Sequence, residues 1–280
     1  MKKILYYIII ILIIIILALI YSRFIGTTGF TVHEHIIKSN KIADSYDGIK
    51  ILHFSDIHYK KIVNKERIKE IIKEINKLKP DIVLFTGDLV DNKSNLSNKD
   101  INFLIRELSK IQSTYGNYSI IGDNDYNKLE IVKNIFIQSN FNLLENENSI
   151  IFNENNDKLF IGGISTSTYK KANINKVMNN INDNNYKIIM IHEGDYIDKI
   201  LDKHKDIDLI VAGHSINGSI NIIGIKNILT PNGSKKYYKP YYKVNNTNIY
   251  VSNGIGVNNI NFRLNNTPSI NLYRIKKQPQ

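Results

Sequence analysis

Acidic residues and histidines of this 280-residue chain recur in five short segments, each of which follows a run of apolar residues. Carboxylate oxygens and imidazole nitrogens are common ligands of divalent metal ions in proteins. Two such ions held about 3.5–4 Å apart can clamp the attacking and leaving oxygens of an in-line phosphoryl displacement. The five segments are Phe54–His58 (FSDIH), Thr86–Asp91 (TGDLVD), Ile121–Asp125 (IGDND), Met190–Glu193 (MIHE) and Ala212–Gly218 (AGHSING).

The residues before each segment predict a buried strand, and those between the segments predict amphipathic helices. Apolar runs indicate strands at residues 49–54, 81–86, 118–121, 158–164, 186–191, 208–212, 241–244, 248–252 and 269–275. Helical spacing indicates helices at residues 68–78 before Pro80, at 101–111 with Ser97 or Asn98 as the N-cap, at about 127–137 and at about 196–203. This alternation is typical of α/β proteins, which bind ligands at the carboxyl ends of their strands.

In order and in content, the five segments resemble the five metal-binding blocks of the calcineurin-like metallophosphoesterases. The stretch from about Asp47 to Ile275 resembles the membrane-anchored branch of that family, because residues 250–256 (YVSNGIG) and 262–270 are similar to its C-terminal signature. The resemblance implies two packed sheets with helices outside, a four-layer α/β/β/α sandwich. Within the signature, Arg263 is expected either to brace the sheet or to face a phosphate.

The resemblance also implies a metal ligand in each block. One carboxylate would bridge two ions, and the remaining ligands would divide between a first and a second site. The implied ligands are Asp56 and His58 for the first ion, Asp88 as the bridge, and Asp123, His192 and His214 for the second ion.

Two departures from the family pattern replace a histidine, whereas Asp123, where the family has asparagine, still offers an oxygen ligand. Asn124 stands where the family has the histidine that protonates the leaving oxygen or stabilises the transition state, and an asparagine donates hydrogen bonds but carries no titratable proton. General acid catalysis is worth about 10²–10⁴ in rate, so poor leaving groups should suffer most. Ile216 stands where the family has a histidine ligand of the first ion. The resemblance therefore implies one or two Mn, Fe or Zn ions, with the second site better occupied than the first.

The N-terminal segment predicts a membrane anchor. Residues 4–21 carry no charge, and as a helix they span roughly 27 Å, close to the thickness of the apolar part of a bilayer. Lys2 and Lys3 precede this run, which favours a cytoplasmic N-terminus and an extracytoplasmic domain. A cleaved signal peptide is the alternative reading. We therefore divide the chain into an anchor (1–23), a connecting segment (24–46) and a metallophosphoesterase domain (47–280).

Charge and cysteine content limit the remaining functions. The chain has no cysteine, which excludes disulfides and thiolate metal sites, and its formal net charge is +11. The lysines are scattered rather than grouped, so the charge is more typical of compositional bias than of a nucleic-acid-binding patch. Attraction to an anionic membrane or cell-envelope polymer is the alternative explanation.

Two main functional hypotheses follow from these features. The first is a membrane-anchored phosphoesterase that uses a metal-bound hydroxide to cleave phosphomonoester, phosphodiester or lipid-linked pyrophosphate bonds. The second is a degenerate relative that binds metal or an anionic ligand with little turnover, because of Asn124 and Ile216. A basic module that binds envelope polymers is a third hypothesis.

Overall fold

The computed structural model describes residues 2–169, 171–179, 181, 185–218, 230–258 and 260–278. The helices in this part of the chain are α1 (Lys2–Ile20), α2 (Lys65–Leu78), α3 (Asn98–Leu108), α4 (Leu129–Gln138), α5 (Ile174–Val177) and α6 (Ile197–Lys203). The strands are β1 (Thr31–Ser39), β2 (Lys50–Phe54), β3 (Ile82–Phe85), β4 (Asn117–Ser119), β5 (Phe141–Leu143), β6 (Glu147–Phe152), β7 (Lys158–Gly163), β8 (Tyr186–Ile191), β9 (Leu209–Ala212), β10 (Tyr241–Val244), β11 (Thr247–Val251) and β12 (Ser269–Lys277).

The strands form two six-stranded mixed sheets. The first has the order β1-β12-β2-β3-β4-β5, and the second has the order β10-β11-β9-β8-β7-β6. The pairs β2–β3 and β3–β4 in the first sheet and β8–β9 in the second are parallel. Parallel strands end at the same edge of a sheet, so the polar segments that follow them are brought together.

The two sheets pack face to face between layers of helices. Along β2, Leu52 and Phe54 belong to a core shared with α2, α3 and α4, whereas Ile51 belongs to the core between the sheets. Along β8, Ile188 also faces the core between the sheets, whereas Ile189 packs with α5 and α6. Both faces of β2 and β8 are therefore buried, which explains the continuous apolar runs at these strands in the sequence. The predicted four-layer α/β/β/α fold is confirmed.

The start of α3 and the end of α2 follow local signals in the sequence. Ser97 caps α3, accepting a hydrogen bond from the Asp100 N–H while the Asp100 carboxylate accepts one from the Ser97 N–H, which is a capping box. Helix α2 ends at Leu78, and Lys79 adopts the left-handed conformation just before Pro80. Of the two caps that the sequence allowed for α3, Ser97 is the one observed.

Residues 24–46, which we expected to be a connecting segment, contain strand β1. This strand pairs in parallel with β12 over its whole length, from Thr31 with Ser269 to Ser39 with Lys277. It lies at the edge of its sheet, and most of its side chains are at least partly exposed. The sequence predicted that His33 and His35 lie on an exposed strand, as they do in β1. The limits of β1 could not be located, because an edge strand needs no continuous apolar run.

The N-terminal apolar segment is one continuous helical stretch. Within Lys2–Ile25, an 18-residue stretch has a mean hydropathy of 3.2, and by length and composition the helix could cross a membrane. The α-helical part runs to Ile20 and continues as one π-helical turn over Tyr21–Ile25. No side chain of α1 is buried against the rest of the protein. The structure thus contains the candidate membrane span that the sequence predicted.

His53 lies inside the first sheet as a neutral hydrogen-bonded side chain. Its Nδ1 is 3.0 Å from the Tyr273 hydroxyl, and its Nε2 is 2.8 Å from the Thr86 hydroxyl. Burial lowers the pKa of His53 to about 3. A histidine in the unfolded chain has a pKa near 6.5. Between about pH 3 and pH 6.5, protons therefore bind the unfolded state preferentially.

We expect the His53 environment to make the fold acid-sensitive. Its contribution to stability is complete above pH 6.5 and is lost as pH falls toward 3, with up to about 2 kcal/mol lost by pH 5. Urea unfolding of the full-length chain in detergent, repeated from pH 7.5 to 4, measures this loss. The His53→Gln variant should show a shallower decline, and equal slopes for the two proteins would contradict the assignment.

Candidate metal centre

Backbone strain is concentrated where the candidate site is built. The non-glycine residues with left-handed φ include Asp56 (53°), His58 (47°), Asp88 (60°), His214 (65°) and Ile216 (47°). Such conformations cost free energy and tend to persist at functional sites. Each of these residues belongs to one of the polar segments that follow β2, β3 and β9, so the strained turns aim their side chains at a common point.

Two glycines allow these turns to approach one another. A Cβ on Gly122 would lie 2.2 Å from Asp88 Oδ1, and a Cβ on Gly213 would lie 2.2 Å from Ser55 Oγ. Neither contact could be relieved without moving the turn that carries Asp88 or Asp56. The glycines at these two positions are therefore required by the close packing of the segments.

The first cluster consists of Asp56, His58 and Asp88. Their candidate ligand atoms lie within 4.8 Å of one another, and all three side chains are buried. His58 Nε2 is 3.8 Å from Asp56 Oδ1 and 3.5 Å from Asp88 Oδ2, which is too long for hydrogen bonds. Neither ring nitrogen of His58 has a hydrogen-bond partner among the described residues. A buried imidazole with unused nitrogens beside two carboxylates fits a metal ion.

The second cluster consists of Asp88, Asp123, His192 and His214, so it shares Asp88 with the first. His192 Nε2 lies 3.0 Å from Asp123 Oδ1 and 3.4 Å from Asp88 Oδ2. His214 Nδ1 is also 3.0 Å from Asp123 Oδ1. Two carboxylates and two imidazoles whose ligand atoms converge within 4.8 Å again fit a divalent cation.

Hydrogen bonds to backbone carbonyls determine which ring nitrogen of His192 and of His214 faces the second cluster. His192 Nδ1 donates to the Thr86 carbonyl at 2.6 Å, and His214 Nε2 donates to the Asn232 carbonyl at 2.7 Å. A metal-binding histidine commonly donates its other ring N–H to a carbonyl or carboxylate, which sets the tautomer. Nε2 of His192 and Nδ1 of His214 are thereby the nitrogens that face Asp123.

Opposite charges stabilise each other within the second cluster. Burial alone would lower the pKa of His192, but the neighbouring Asp88 and Asp123 carboxylates raise it well above the usual value. For Asp88 and Asp123, burial acts to raise the pKa, yet His192 holds the pKa of both below the usual range. The carboxylates thus stay ionised and concentrate negative charge where a cation would bind.

Asp125 supports the bridging residue, a role that the sequence analysis missed. Its buried carboxylate accepts hydrogen bonds from the N–H groups of Asp88 (2.8 Å), Gly122 (3.1 Å) and Val90 (3.1 Å). Burial, followed by the charge of Asp88, raises the pKa of Asp125 to about 7. The acidic residue that ends the third family block was the signal that could have revealed this contact.

Glu193 plays a similar part on the other side of the site. Its buried carboxylate accepts hydrogen bonds from the Thr166 hydroxyl and from the N–H groups of Ser167 (2.9 Å) and Thr168 (3.1 Å). This loop carries Tyr169, whose ring stacks on that of Tyr126 with 3.8 Å between centroids. No pattern in the sequence pairs Glu193 with that loop, because the contact joins residues that are 25–27 positions apart.

The two departures from the family pattern are both buried at the site. Asn124 donates to both carboxylate oxygens of Asp88, from its backbone N–H at 2.9 Å and from its side-chain Nδ2 at 2.7 Å. Ile216 is 1% exposed and lies beside Gly254, where a Cβ would be 3.4 Å from Ile216 Cγ1 and 2.9 Å from Asp56 Cβ. Ile216 therefore occupies the space next to the first cluster with an apolar side chain.

Arg263 braces the loops behind the first cluster and does not face the site opening. Its fully buried guanidinium donates to the carbonyls of Asn253 (2.7 Å), Gly254 (3.1 Å), Gly256 (3.1 Å) and Asn266 (3.3 Å). Burial lowers the pKa of Arg263 to about 9. Of the two roles left open by the sequence, these backbone contacts favour the structural one.

Comparison with known proteins places the fold and the site in one family. A model of the calcineurin-like phosphoesterases matches residues 49–218, more than half of the chain. The chain therefore belongs to the calcineurin-like phosphoesterase family, and the resemblance inferred from the five segments is confirmed. Membership in this family implies divalent metal ions, and the two clusters are the candidate positions for them.

Particular relatives extend the similarity beyond the matched region. The chain is 27% identical over 258 residues to YkuE, an uncharacterized metallophosphoesterase of Bacillus subtilis (strain 168), covering 91% of this chain and 89% of the relative. It is 22% identical over 255 residues to a transmembrane protein with metallophosphoesterase domain from Bos taurus, covering 86% of this chain and 56% of that protein. Among solved structures, the calcineurin-like phosphoesterase YfkN from Bacillus subtilis has a TM-score of 0.46 and 14% identity, covering 75% and 82% of the two chains.

Proposed function

We propose that the protein is a metal-dependent phosphoesterase held in the cell membrane by its N-terminal helix. The observation that carries this proposal is the meeting of two ligand clusters on one carboxylate, Asp88, within a family of phosphoesterases. The substrate would be a phosphomonoester, a phosphodiester or a lipid-linked pyrophosphate. Asp56, His58, Asp88, Asp123, His192 and His214 are the proposed ligands.

The two clusters should differ in metal affinity. The second offers four side chains and the first three, because Ile216 replaces a further ligand. Open catalytic sites with three protein ligands exist, so the first cluster can still bind Mn, Fe or Zn, but more weakly. Divalent ions bound there would supply positive charge for the phosphoryl oxygens and would increase the acidity of water.

The protein's own contribution lies in positioning and hydrogen bonding. Asn124 holds both oxygens of Asp88 and so fixes the orientation of the shared ligand. Because an amide cannot supply a proton, the leaving oxygen must depart without an acid from this residue. We therefore propose substrates whose leaving group is already stable as an anion, such as the phosphate of a pyrophosphate bond.

The attachment of the anchor supports a lipid substrate. The backbone N–H of Arg263 donates to the Ser22 carbonyl at 2.9 Å in the π-helical turn that extends α1. Arg23 of the same turn lines a hollow of about 570 Å³ together with Lys60 and Lys61, which lie two and three residues after the first-cluster residue His58. The edge of the sheets that carries the site therefore lies next to the end of the anchor, within reach of lipid headgroups.

The flanking charges support an extracytoplasmic domain. Lys2 and Lys3 precede the apolar helix, and positive charges near a membrane span tend to remain in the cytoplasm. The bovine relative, which is described as a transmembrane protein, is consistent with a retained span. A single-pass topology with residues 24–280 outside the cytoplasm is thus the proposed arrangement.

The proposed function is tested by the metal dependence of hydrolysis. The full-length chain in detergent should lose its activity toward an aryl phosphodiester in EDTA and regain it with Mn²⁺. A lipid-linked pyrophosphate in mixed micelles should be cleaved about 10²–10⁴-fold faster than an alkyl phosphomonoester, because only the second substrate needs the missing acid. Hydrolysis that persists after the metal has been removed would reject the proposal.

A binding protein with little turnover is the alternative. The buried Ile216 and the engagement of the Asn124 side chain with Asp88 favour it. This alternative expects a single ion per chain, in the second cluster, and no measurable hydrolysis. Because a weakly binding first cluster also leaves about one ion per chain, hydrolysis by the metal-loaded protein, and not the metal count alone, separates the two functions.

A further inference from the structure

A second cavity lies at the opposite ends of the strands from the metal centre. It has a volume of about 720 Å³ and is lined by residues where β8 and β9 begin and where β1 and β12 end. Tyr186 is the first residue of β8, Asp208 directly precedes β9, and Ser39 is the last residue of β1. Nothing in the proposed phosphoesterase site uses this part of the fold.

The cavity has an excess of positive charge. Five lysines line it, against two aspartates, Asp206 and Asp208. Both aspartates are already paired, Asp208 with Lys41 at 3.2 Å and Asp206 with Lys187. Within the described part of the chain, the lining lysines that make no ion pair are Lys38, Lys203, Lys205 and Lys243.

Two polar atoms in the wall also lack partners. The Tyr186 side chain is 1% exposed, and its hydroxyl makes no hydrogen bond with any described residue. His204 Nε2 is likewise buried without a partner in that part of the chain. Buried polar groups in folded proteins nearly always have a partner, so an unpaired hydroxyl beside a basic cavity suggests a ligand. Burial raises the pKa of Tyr186 well above its usual value, so the hydroxyl remains a donor.

The remaining lining groups suit a ligand with hydroxyl groups. Asn40, Asn246, Asn248 and Gln278 contribute side-chain amides, which both donate and accept hydrogen bonds. We propose that this cavity binds a phosphorylated polyol or sugar, with the phosphate held by Lys203, Lys205 and Lys243 and the hydroxyl groups held by the amides and Tyr186. The site does not depend on the proposed hydrolytic function.

The position of the cavity favours a ligand from solution over a lipid headgroup. Strand β1 starts near the end of the anchor, at Thr31, and reaches the cavity at Ser39, eight residues later. At about 3.3 Å per residue, this strand separates the cavity from the anchor end of the domain by roughly 26 Å. A headgroup in the bilayer that holds the anchor could not reach the cavity over that distance.

Binding of sn-glycerol 3-phosphate to the full-length protein, measured by isothermal titration in detergent, tests this proposal. Lys205→Gln combined with Lys243→Gln should weaken binding at least about 10-fold, because charge-assisted hydrogen bonds are lost. Tyr186→Phe should weaken it by a smaller factor. The control Lys69→Gln with Lys73→Gln removes two exposed lysines from α2 and should change nothing.

Two further probes distinguish the sources of phosphate. Inorganic phosphate should bind at least about 10-fold more weakly than glycerol 3-phosphate, and phosphatidylglycerol vesicles should bind wild type and the Lys205/Lys243 variant equally. Equal affinity for the two soluble phosphates, or vesicle binding that depends on these lysines, would overturn the assigned ligand class. Glycerol 3-phosphate binding that is unchanged in the Lys205/Lys243 variant would overturn the site itself. Hydrolysis at the metal centre should be the same in all these variants, so failure here leaves the proposed function untouched.

Discussion

Replacement of Asp88 by asparagine is expected to reduce hydrolysis at least about 1,000-fold and to lower the metal content of both clusters. Asp88 is the residue that the two clusters share, so its charge acts on both ions at once. Charge stabilisation by bound cations supplies several kcal/mol of a phosphoryl-transfer barrier, and each 1.36 kcal/mol is a factor of ten in rate. Removing the bridge should therefore cost more than removing a ligand that belongs to one cluster alone.

Asparagine is a suitable replacement because it preserves the local backbone. Asp88 has a φ of 60°, a conformation that asparagine tolerates better than most residues. Its backbone N–H would still donate to Asp125, so the turn should stay folded. A loss of activity in Asp88→Asn would then report on charge and metal binding, provided that circular dichroism and the unfolding midpoint remain close to wild type.

The control for Asp88→Asn is the same substitution at an aspartate outside the two clusters. Asp202 is exposed on α6 and belongs to neither cluster, and Asp202→Asn makes the same chemical change. We expect this control to retain wild-type activity and metal content. If the Asp88→Asn variant hydrolysed the substrate at the wild-type rate, and EDTA still abolished this activity, the shared carboxylate would have no part in the reaction.

The sequence predicted the buried parts of the fold well because burial leaves a strong pattern. Strands such as β3 and β8 have both faces covered. Apart from Lys187, which pairs with Asp206, every residue in these two strands is apolar or aromatic, and their limits could be located closely. Strand β1 lies at an edge and alternates polar and apolar residues irregularly, so its limits and its pairing with β12 were not predicted. The spacing of apolar residues in a sequence indicates which segments are buried, and the side chains of an edge strand are less buried than those of a central strand.

The candidate site was predictable to the extent that its residues lie in local motifs. The six candidate ligands could be named from short segments that each follow a strand. Asp125 and Glu193 act through backbone N–H groups of distant turns, and such contacts appear only when the chain has folded. The direction of the Asn124 amide, toward Asp88, could not be predicted from the sequence either.

Ile216 combines a missing ligand with a strained backbone. Its φ is 47°, in the left-handed region, where a β-branched residue is a marked outlier and histidine is several-fold more common. Its carbonyl accepts a hydrogen bond from Asn266, and its side chain is buried against the Gly254 turn, so the surroundings enforce the conformation. The turn at residue 216 thus has the left-handed conformation that suits histidine, although the residue at this position is an isoleucine.

Replacement of Ile216 by histidine is expected to restore the first metal site. The imidazole would occupy the space beside Asp56, and a fourth ligand should raise the metal affinity of the first cluster by at least about 10–100-fold. Metal analysis should then change from about one ion to about two ions per chain, and hydrolysis should rise with it. Ile216→Leu is the matched control, since it removes the β-branch and keeps an apolar side chain of the same size.

The pair of variants separates strain from ligation. Relief of a strained left-handed residue is worth about 1–3 kcal/mol, so both variants could raise the unfolding midpoint, but only histidine can add a metal ion. If Ile216→His folds and binds two ions without a gain in rate, the missing ligand does not limit turnover. The absence of a histidine at position 124 would then be what limits the rate. If metal content stays at one ion in both variants, the first cluster is not a metal site. A rise in both metal content and rate with histidine alone would establish that this turn still holds the geometry of the lost ligand.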